Sequence, residues 1–206
     1  AQATFVSMVS HELQTPLTCI KSSVEMLIAL EEDGSEGRRE LLHTIADNSA
    51  RLEALVADLL QVTKLEANQV TLTRQPTDLP ALLRRVAQTH WPLFEAKAQT
   101  LTLDLREDMP RLWVDRARLE QIVGNLLSNA HKFTPRGGAI ELRLRGNREV
   151  VRVEVSDNGP GIPPEEREKV FEKFYVGRSQ RAGAGVGLGL YIARRLAELH
   201  GGQVWV

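Results

Sequence analysis

Between Arg38 and Ala67 the chain returns to the same helical seam at Leu41, Ile45, Asn48, Leu52, Leu55, Leu59 and Val62, in alternating steps of four and three. A heptad of this regularity keeps one apolar stripe on one side of a long helix, and such a stripe has to be covered by another helix. Asn48 is the one polar member and can fix register. Upstream, Val6, Val9, Leu13, Leu17, Ile20, Val24 and Leu27 recur at steps of three and four, which predicts a first amphipathic helix over residues 1–31. The polar, glycine-containing stretch Glu31–Gly37 separates the two, so the pair reads as an αα-hairpin. Two helices bury too little apolar surface to stand alone. The hairpin most simply pairs with a second copy as a four-helix-bundle homodimer. The alternative is that it packs on its own downstream domain.

The first helix carries one histidine, His11, followed by Glu12 and, after Thr15, by Pro16. At about 100° per residue, His11 lies roughly 160° from the Val9/Leu13 line, so its ring is expected to face solvent. Thr15 is one turn further on the same face. Pro16 removes the N–H that would reach the carbonyl of Glu12, which predicts a kink just past the histidine. An exposed histidine on a helix is ordinarily a solvated side chain. A His-Glu-x-x-Thr patch on a bent helix is also a reactive site that another domain could visit.

Downstream the period changes. Residues 68–76 read as a linker or hinge with an extended piece. Thr77-Asp78 caps a helix running to about Lys97. Alternation marks strands at Leu101–Leu105, Ala139–Arg145 and Val150–Val155, with a short one at Leu112–Val114. Asp115–Phe133 and Gly189–Leu199 are helical, and the final Gln-Val-Trp-Val reads as a strand with no turn after it, as in an excised fragment. The fold class is α+β: a dimeric antiparallel helical hairpin over 1–67, then an α/β sandwich over 77–206 with helices on one face of a largely antiparallel sheet. The balance of 26 basic and 27 acidic residues gives no case for nucleic acid. No apolar run approaches the ~20 residues of a membrane span. The single cysteine, Cys19, forms no internal disulfide and reads as a core or edge residue in a reducing compartment. The expectation is a cytoplasmic piece of a longer chain whose remainder is free to carry a sensor or a membrane anchor.

Four segments of the second half carry chemistry. Asn125 and Asn129 are one turn apart on one helix face, with Lys132 a further turn on. Amide oxygens can complete a Mg²⁺ shell that already holds phosphate and water, and a lysine can neutralise phosphate charge. Asp157-Asn-Gly-Pro-Gly161 follows a strand, so a carboxylate emerges into a loop whose glycines let a flat ligand approach. That carboxylate only accepts, which suits the amino group of adenine, although a plain turn is the ordinary reading. Val170–Tyr175 is aromatic-rich and by itself reads as core packing. Gly183-Ala-Gly-Val-Gly-Leu-Gly-Leu190 opens a helix with N–H groups free to face phosphates. It is neither a P-loop nor a Rossmann fingerprint. Residues 176–188 have the composition and length of a lid.

Together these segments resemble the catalytic core of a sensor histidine kinase of two-component signalling. Five boxes stand in the family's order over nearly the whole chain: His11-Glu-Leu-Gln-Thr-Pro, Asn125 to Asn129, Asp157 to Gly161, Phe171 to Phe174 and Gly185 to Gly189. The resemblance implies a phosphoacceptor hairpin followed by the Bergerat ATP-binding fold shared with gyrase, Hsp90 and MutL. It implies ATP and Mg²⁺ as cofactors, a homodimer, and the receiver domain of a response regulator as partner. Carried over position by position, His11 is the phosphoacceptor, Glu12 holds the proton on its other ring nitrogen, and Thr15 positions water when the regulator is dephosphorylated. Asn125 completes the Mg²⁺ shell, and Asn129 and Lys132 contact phosphates. Phe133 flanks the adenine, Asp157 reads its amino group, and Gly159 and Gly161 admit the base. Gly185, Gly187 and Gly189, with Leu188 between them, shape the lid hinge.

Three positions depart from the family's pattern. Gln14 stands for the usual arginine, Val186 for a frequent Thr or Ser, and Val176 for an arginine that Arg178 or Arg181 would have to replace. The reaction implied is ATP-dependent phosphorylation of His11 and transfer to an aspartate of the regulator. A Bergerat-fold ATPase or clamp is the competing reading, and a phosphatase-biased dimeric scaffold is a third. Hydrolases of the family place a glutamate base one turn before the metal-binding asparagine. Here that position is Gln121, which cannot act as a base.

Overall fold

The computed structural model describes residues 2–29, 35–146, 150–177 and 186–206, of which 2–11, 29 and 35 are described by their backbone alone. The first helix, α1 (Gln2–Ala29), runs through Pro16 as one continuous element. The second, α2 (Ser35–Glu66), begins inside the polar stretch expected to separate them. α1 and α2 pack along their length as a hairpin, and the α2 seam lies half-buried or buried, with Leu55 and Val62 most enclosed. The α1 seam divides. Leu13, Pro16, Ile20, Ser23 and Leu27 turn toward α2, while Leu17, Val24 and Ile28 stay exposed, Ile28 at 79%. Cys19 is exposed as well, not a core residue, because it lies one position off the stripe that α2 covers.

α2 ends at Asn68, whose φ of 51° is left-handed. The Gln69 N–H reaches the Lys64 carbonyl (2.9 Å) and the Asn68 N–H that of Leu65 (3.2 Å), the paired bonds of a Schellman cap. The following segment is not loose. Val70 packs against the apolar cluster around the last helix, and the Thr73 N–H donates to Asp115 (2.9 Å). Arg74 donates to the Leu199 carbonyl (3.2 Å), and β1 (Gln75–Thr77) pairs antiparallel with β3 (Leu112–Val114).

The C-terminal part is a helical layer on a three-stranded sheet. α3 (Leu79–Ala96) starts at Asp78, whose carboxylate accepts from the Ala81 N–H (3.0 Å), and α4 (Arg116–Phe133) starts at Asp115, which accepts from the Arg118 N–H (3.1 Å). β2 (Thr100–Leu105), β4 (Ala139–Gly146) and β5 (Val151–Asp157) lie in the order β2-β4-β5. The expected largely antiparallel sheet is corrected here: β4 and β5 are antiparallel, but β2 and β4 run parallel, Leu103 opposite Leu142. Alternation within a strand carries no direction. α4 lies between β2 and β4 in the chain and returns it to the end it left, which forces a parallel pair. The expected last strand is also absent. Residues 203–206 join neither sheet, and Trp205 is held under the Arg152 guanidinium, 4.7 Å from its ring centre. α5 (Gly189–Leu199) closes the layer.

Two apolar clusters meet at α4. Val123, Leu127 and Ala130 join Leu79, Leu83 and Phe94 of α3 and Ile140, Leu142 and Leu144 of β4. Ile122 joins Leu188 just before α5, Ile192 and Leu196 of α5, and Val62 and Leu65 of α2. α4 thus spends two faces on packing and keeps a third for polar residues. Among the described residues no helix is long and apolar enough to cross a membrane.

Candidate functional site

The third face of α4 carries Asn125, Asn129 and Lys132 at the helical spacing that the sequence predicts. The Asn125 amide nitrogen donates to the Gly189 carbonyl (2.9 Å), so its Oδ1 points elsewhere. A Cβ on Gly189 would sit 3.6 Å from the Asn125 side chain, so the start of α5 is drawn close to the asparagine. At the other end of α4, Lys132 Nζ lies 5.1 Å from the centre of the Phe133 ring.

Asp157 ends β5 opposite Ile140, and Asn158 extends the pairing with its side chain, accepting from the Ala139 N–H (2.9 Å). The exposed Asp157 carboxylate accepts from the Gly159 N–H (2.8 Å). A side chain on Gly159 would lie 2.7 Å from Asp157 Oδ1 and 3.0 Å from the Phe133 carbonyl. Only glycine lets this loop pass over the end of α4. Gly161 and Gly187 have φ of 73° and 67°. The Phe174 N–H donates to the Gly187 carbonyl (3.0 Å), which joins the two ends of the expected lid. Asn125 and Asn129, Lys132 with Phe133, Asp157 with Gly159, and Gly187 to Gly189 therefore surround one helix face. Arg178, Arg181, Gly183 and Gly185 lie outside the described residues, and with them the body of the lid.

The His11 side chain is likewise outside the described residues, so its expected solvent orientation stands without a structural account. Its neighbour Glu12 is described. Arg51 of α2 donates to the Glu12 carboxylate at 3.3 Å. Burial, with the Arg51 guanidinium, pulls the Lys132 ammonium below its ordinary pKa, while the Glu12 carboxylate partly opposes this. Lys132 therefore feels both members of a hairpin ion pair, one of which, Glu12, follows the histidine in α1. Thr15 is exposed on the same helix. Gln121, one turn before Asn125, is held by Gln61 of α2 through paired amide bonds, one of 2.8 Å.

Sequence reasoning missed four contributors: Arg51, Lys97, Gln99 and His131. Arg51 and the expected Glu12 lie equidistant from the hairpin loop, and their opposite charges are the signal that an antiparallel pair would join them. Lys97, Gln99 and His131 cluster under the end of α4 with no spacing signal at all. Burial and the nearby Lys97 and His90 hold His131 below the ordinary histidine pKa.

The N-terminal residues 1–68 match the family model "His Kinase A (phospho-acceptor) domain", and residues 114–206 match "Histidine kinase-, DNA gyrase B-, and HSP90-like ATPase". The chain belongs to the sensor histidine kinase family. This histidine kinase core is 37% identical over 202 residues to the aerobic respiration control sensor protein ArcB homolog of Haemophilus influenzae, covering 97% of the chain and 61% of that relative. It spans about three-fifths or less of the length of the first curated relatives it matches, 53% of one SasA and 34% of KinB. Full-length ShkA in complex with AMPPNP superposes with a TM-score of 0.72 at 30% identity, covering 98% of this chain and 42% of that one. Histidine kinase ThkA in complex with the response regulator TrrA gives 0.76 at 26% identity, covering 98% and 56%.

Proposed function

We propose that this core transfers the γ-phosphoryl group of ATP to a ring nitrogen of His11 and that the phosphohistidine then donates to an aspartate of a separate response regulator. The observation that carries the reading is the gathering of Asn125, Asn129, Lys132, Phe133 and Asp157 on and around α4, with Lys132 turned toward the Glu12–Arg51 pair beside His11. The nucleotide-bound ShkA and the regulator-bound ThkA are the relatives that support it.

The residues fit Mg²⁺ and adenine. Asn125 has its donor spent on Gly189 and its oxygen left for a hard cation. Asp157 is fixed by Gly159 in a glycine cradle, and the buried Thr134 hydroxyl just past the end of α4, whose side chain lies against Gly138, has no hydrogen-bond partner among the described residues. Asn125 would hold Mg²⁺, which when bound offsets charge on the phosphates. Asn129 and Lys132 would bind phosphate oxygens, Phe133 would flank the base, Gly159 and Gly161 would let it approach, and Gly185, Gly187 and Gly189, with Leu188 between them, would shape the lid hinge around the phosphates, with Arg178 supplying charge at the γ-phosphate. Glu12, steadied by Arg51, would keep the proton on one nitrogen of His11 so that the other attacks. Thr15 would position water for regulator dephosphorylation.

The acceptor is a side chain and not water, because Gln121 has no basic oxygen and its amide is engaged by Gln61. Leu17, Val24 and Ile28 of α1 and Val56 and Leu60 of α2 leave apolar surface uncovered, which a second copy would bury as a four-helix bundle. Need for ATP puts the core in the cytoplasm. The hinge that brings phosphate to histidine lies at Asn68–Gln69, since residues 70–77 are bonded to the C-terminal part. Two glycines inserted after Asn68 should alter the labelling rate and leave nucleotide affinity alone; lowered affinity would return the hinge to the 70–77 segment.

Incubation with γ-labelled ATP tests the reaction. Acid-labile, base-stable label on the protein, lost in His11→Gln, is the expected result. Free phosphate without protein label would instead establish an ATPase.

A further inference from the structure

The end of α4 is held by side chains that come from the α3–β2 connection. Lys97 Nζ donates to the carbonyls of His131 (2.8 Å), Lys132 (3.0 Å) and Thr134 (2.9 Å). An ammonium has three N–H groups, and all three are spent here. Gln99, 7% exposed, donates from Nε2 to the carbonyls of His131 (3.0 Å), Thr134 (2.7 Å) and, at the limit, Pro135 (3.4 Å). Its Oε1 accepts from His131 Nδ1–H at 2.7 Å. Two backbone bonds close the same joint, Gly137 N–H to the Lys97 carbonyl (3.1 Å) and Thr100 N–H to that of Gly138 (2.9 Å).

The last carbonyls of a helix have no partners within it and are usually left to water. Here a cation and a carboxamide take them, and the cation also suits the negative end of the helix dipole. The carbonyls taken are those of residues 131, 132, 134 and 135, which flank Phe133 on both sides. The backbone that presents Lys132 and Phe133 is therefore pinned at the carbonyls on either side of Phe133, while Gly159 passes close to the Phe133 carbonyl itself.

We propose that Lys97 and Gln99 are positioning residues of the nucleotide site: they fix the terminal turn of α4 so that the Lys132 ammonium and the Phe133 ring are preset for phosphate and base. The proposal rests on the nucleotide-binding reading above. Neither residue is among those proposed to contact the nucleotide. Their effect passes through the main chain, as substrate-positioning shells act at a distance from chemistry. Preset geometry shows as affinity and KM for ATP more than as turnover.

The test uses the whole 206-residue chain with a fluorescent ATP analogue, Mg²⁺ and a thermal melt on each variant. Lys97→Met keeps stem length and removes every donor, and it should weaken nucleotide binding about tenfold or more at a temperature where circular dichroism shows the protein folded. Lys97→Arg, which keeps charge and several donors, should recover part of that loss. KM for ATP should rise more than kcat falls. A folded Lys97→Met with wild-type affinity and only a lower melting point would overturn the proposal and leave a stability role. If Lys97→Met does not fold, Gln99→Leu is judged by the same criterion. Wild-type protein that binds no nucleotide would sink the functional reading itself, whereas binding that both variants retain sinks only this inference.

Discussion

Asp78 and Asp115 form a matched pair that separates helix capping from a second task. Each begins a helix and accepts one N–H from its first turn. Asp78 is exposed and stops there. Asp115 is 7% exposed, and its other oxygen accepts the Thr73 N–H at 2.9 Å, tying the segment after the hairpin to α4. Losing a cap costs about 1 kcal/mol. Stranding the Thr73 N–H adds about 1–3 kcal/mol. Asp78→Ala should therefore cost about 1 kcal/mol and Asp115→Ala about 2–4 kcal/mol, read from urea unfolding followed by tryptophan fluorescence with unchanged m-values. Burial by itself would raise the Asp115 pKa, but the N–H groups of Thr73 and Arg118 and the Arg118 charge outweigh it and hold the carboxyl below the usual aspartate value. A depressed folded-state pKa gives stability that is complete above the unfolded value of about 3.9 and is lost as pH falls through the folded one. The gap between wild type and Asp115→Ala should persist down to that range and close only below it. Equal costs for the two alanines would refute the reasoning, because the Thr73 bond would then contribute nothing.

Three further outcomes follow from the site. Arg51→Ala should slow labelling of His11 about tenfold while nucleotide affinity stays within about twofold, since Arg51 lies on the hairpin and bonds Glu12; parallel loss of affinity would place Arg51 in the nucleotide site instead. Asn125→Asp should abolish labelling with the melting point little changed, because aspartate cannot donate to the Gly189 carbonyl and sets oxygen against oxygen; retained labelling would remove Asn125 from the metal assignment. Val56→Asp with Leu60→Asp should yield a monomer by sedimentation equilibrium, as both side chains are exposed and apolar in the single chain; a persisting dimer would assign the uncovered stripe to some other contact.

Much of this fold was legible because periodicity reports burial. The α2 seam, the third face of α4 and the helix over Gly189–Leu199 follow directly from spacing. Strand direction did not, since Leu101–Leu105 and Ala139–Arg145 alternate alike whichever way they run, and only the intervening α4 makes them parallel. The α1 seam was read as one stripe, but Leu13, Ile20 and Leu27 face α2 while Leu17 and Val24 do not. A single helical period cannot divide an apolar arc between two neighbours. The site boxes were visible as residue types. Their support was not, because Lys97 and Gln99 act on carbonyls, and main-chain atoms leave no trace in composition.

The geometry of α4 also bears on why the phosphoryl acceptor should come from another helix. One face, Val123 and Leu127, is committed to α3 and the sheet. A second, Ile122, is committed to α5 and α2, and Gln121 beside it is bonded to Gln61. The third, Asn125, Asn129 and Lys132, is the one proposed to face nucleotide. The position one turn before Asn125, Gln121, carries an amide in place of a base. A glutamate at 121 would have to leave the Gln61 amide and face apolar Ile122 neighbours before it could serve. The two charges that act on the Lys132 ammonium, those of Arg51 and Glu12, belong to the hairpin. A site whose proposed catalytic charges sit on one element and whose proposed nucleotide ligands sit on another favours transfer to a residue of the first element over transfer to solvent, which is why His11, next to Glu12, is the proposed acceptor.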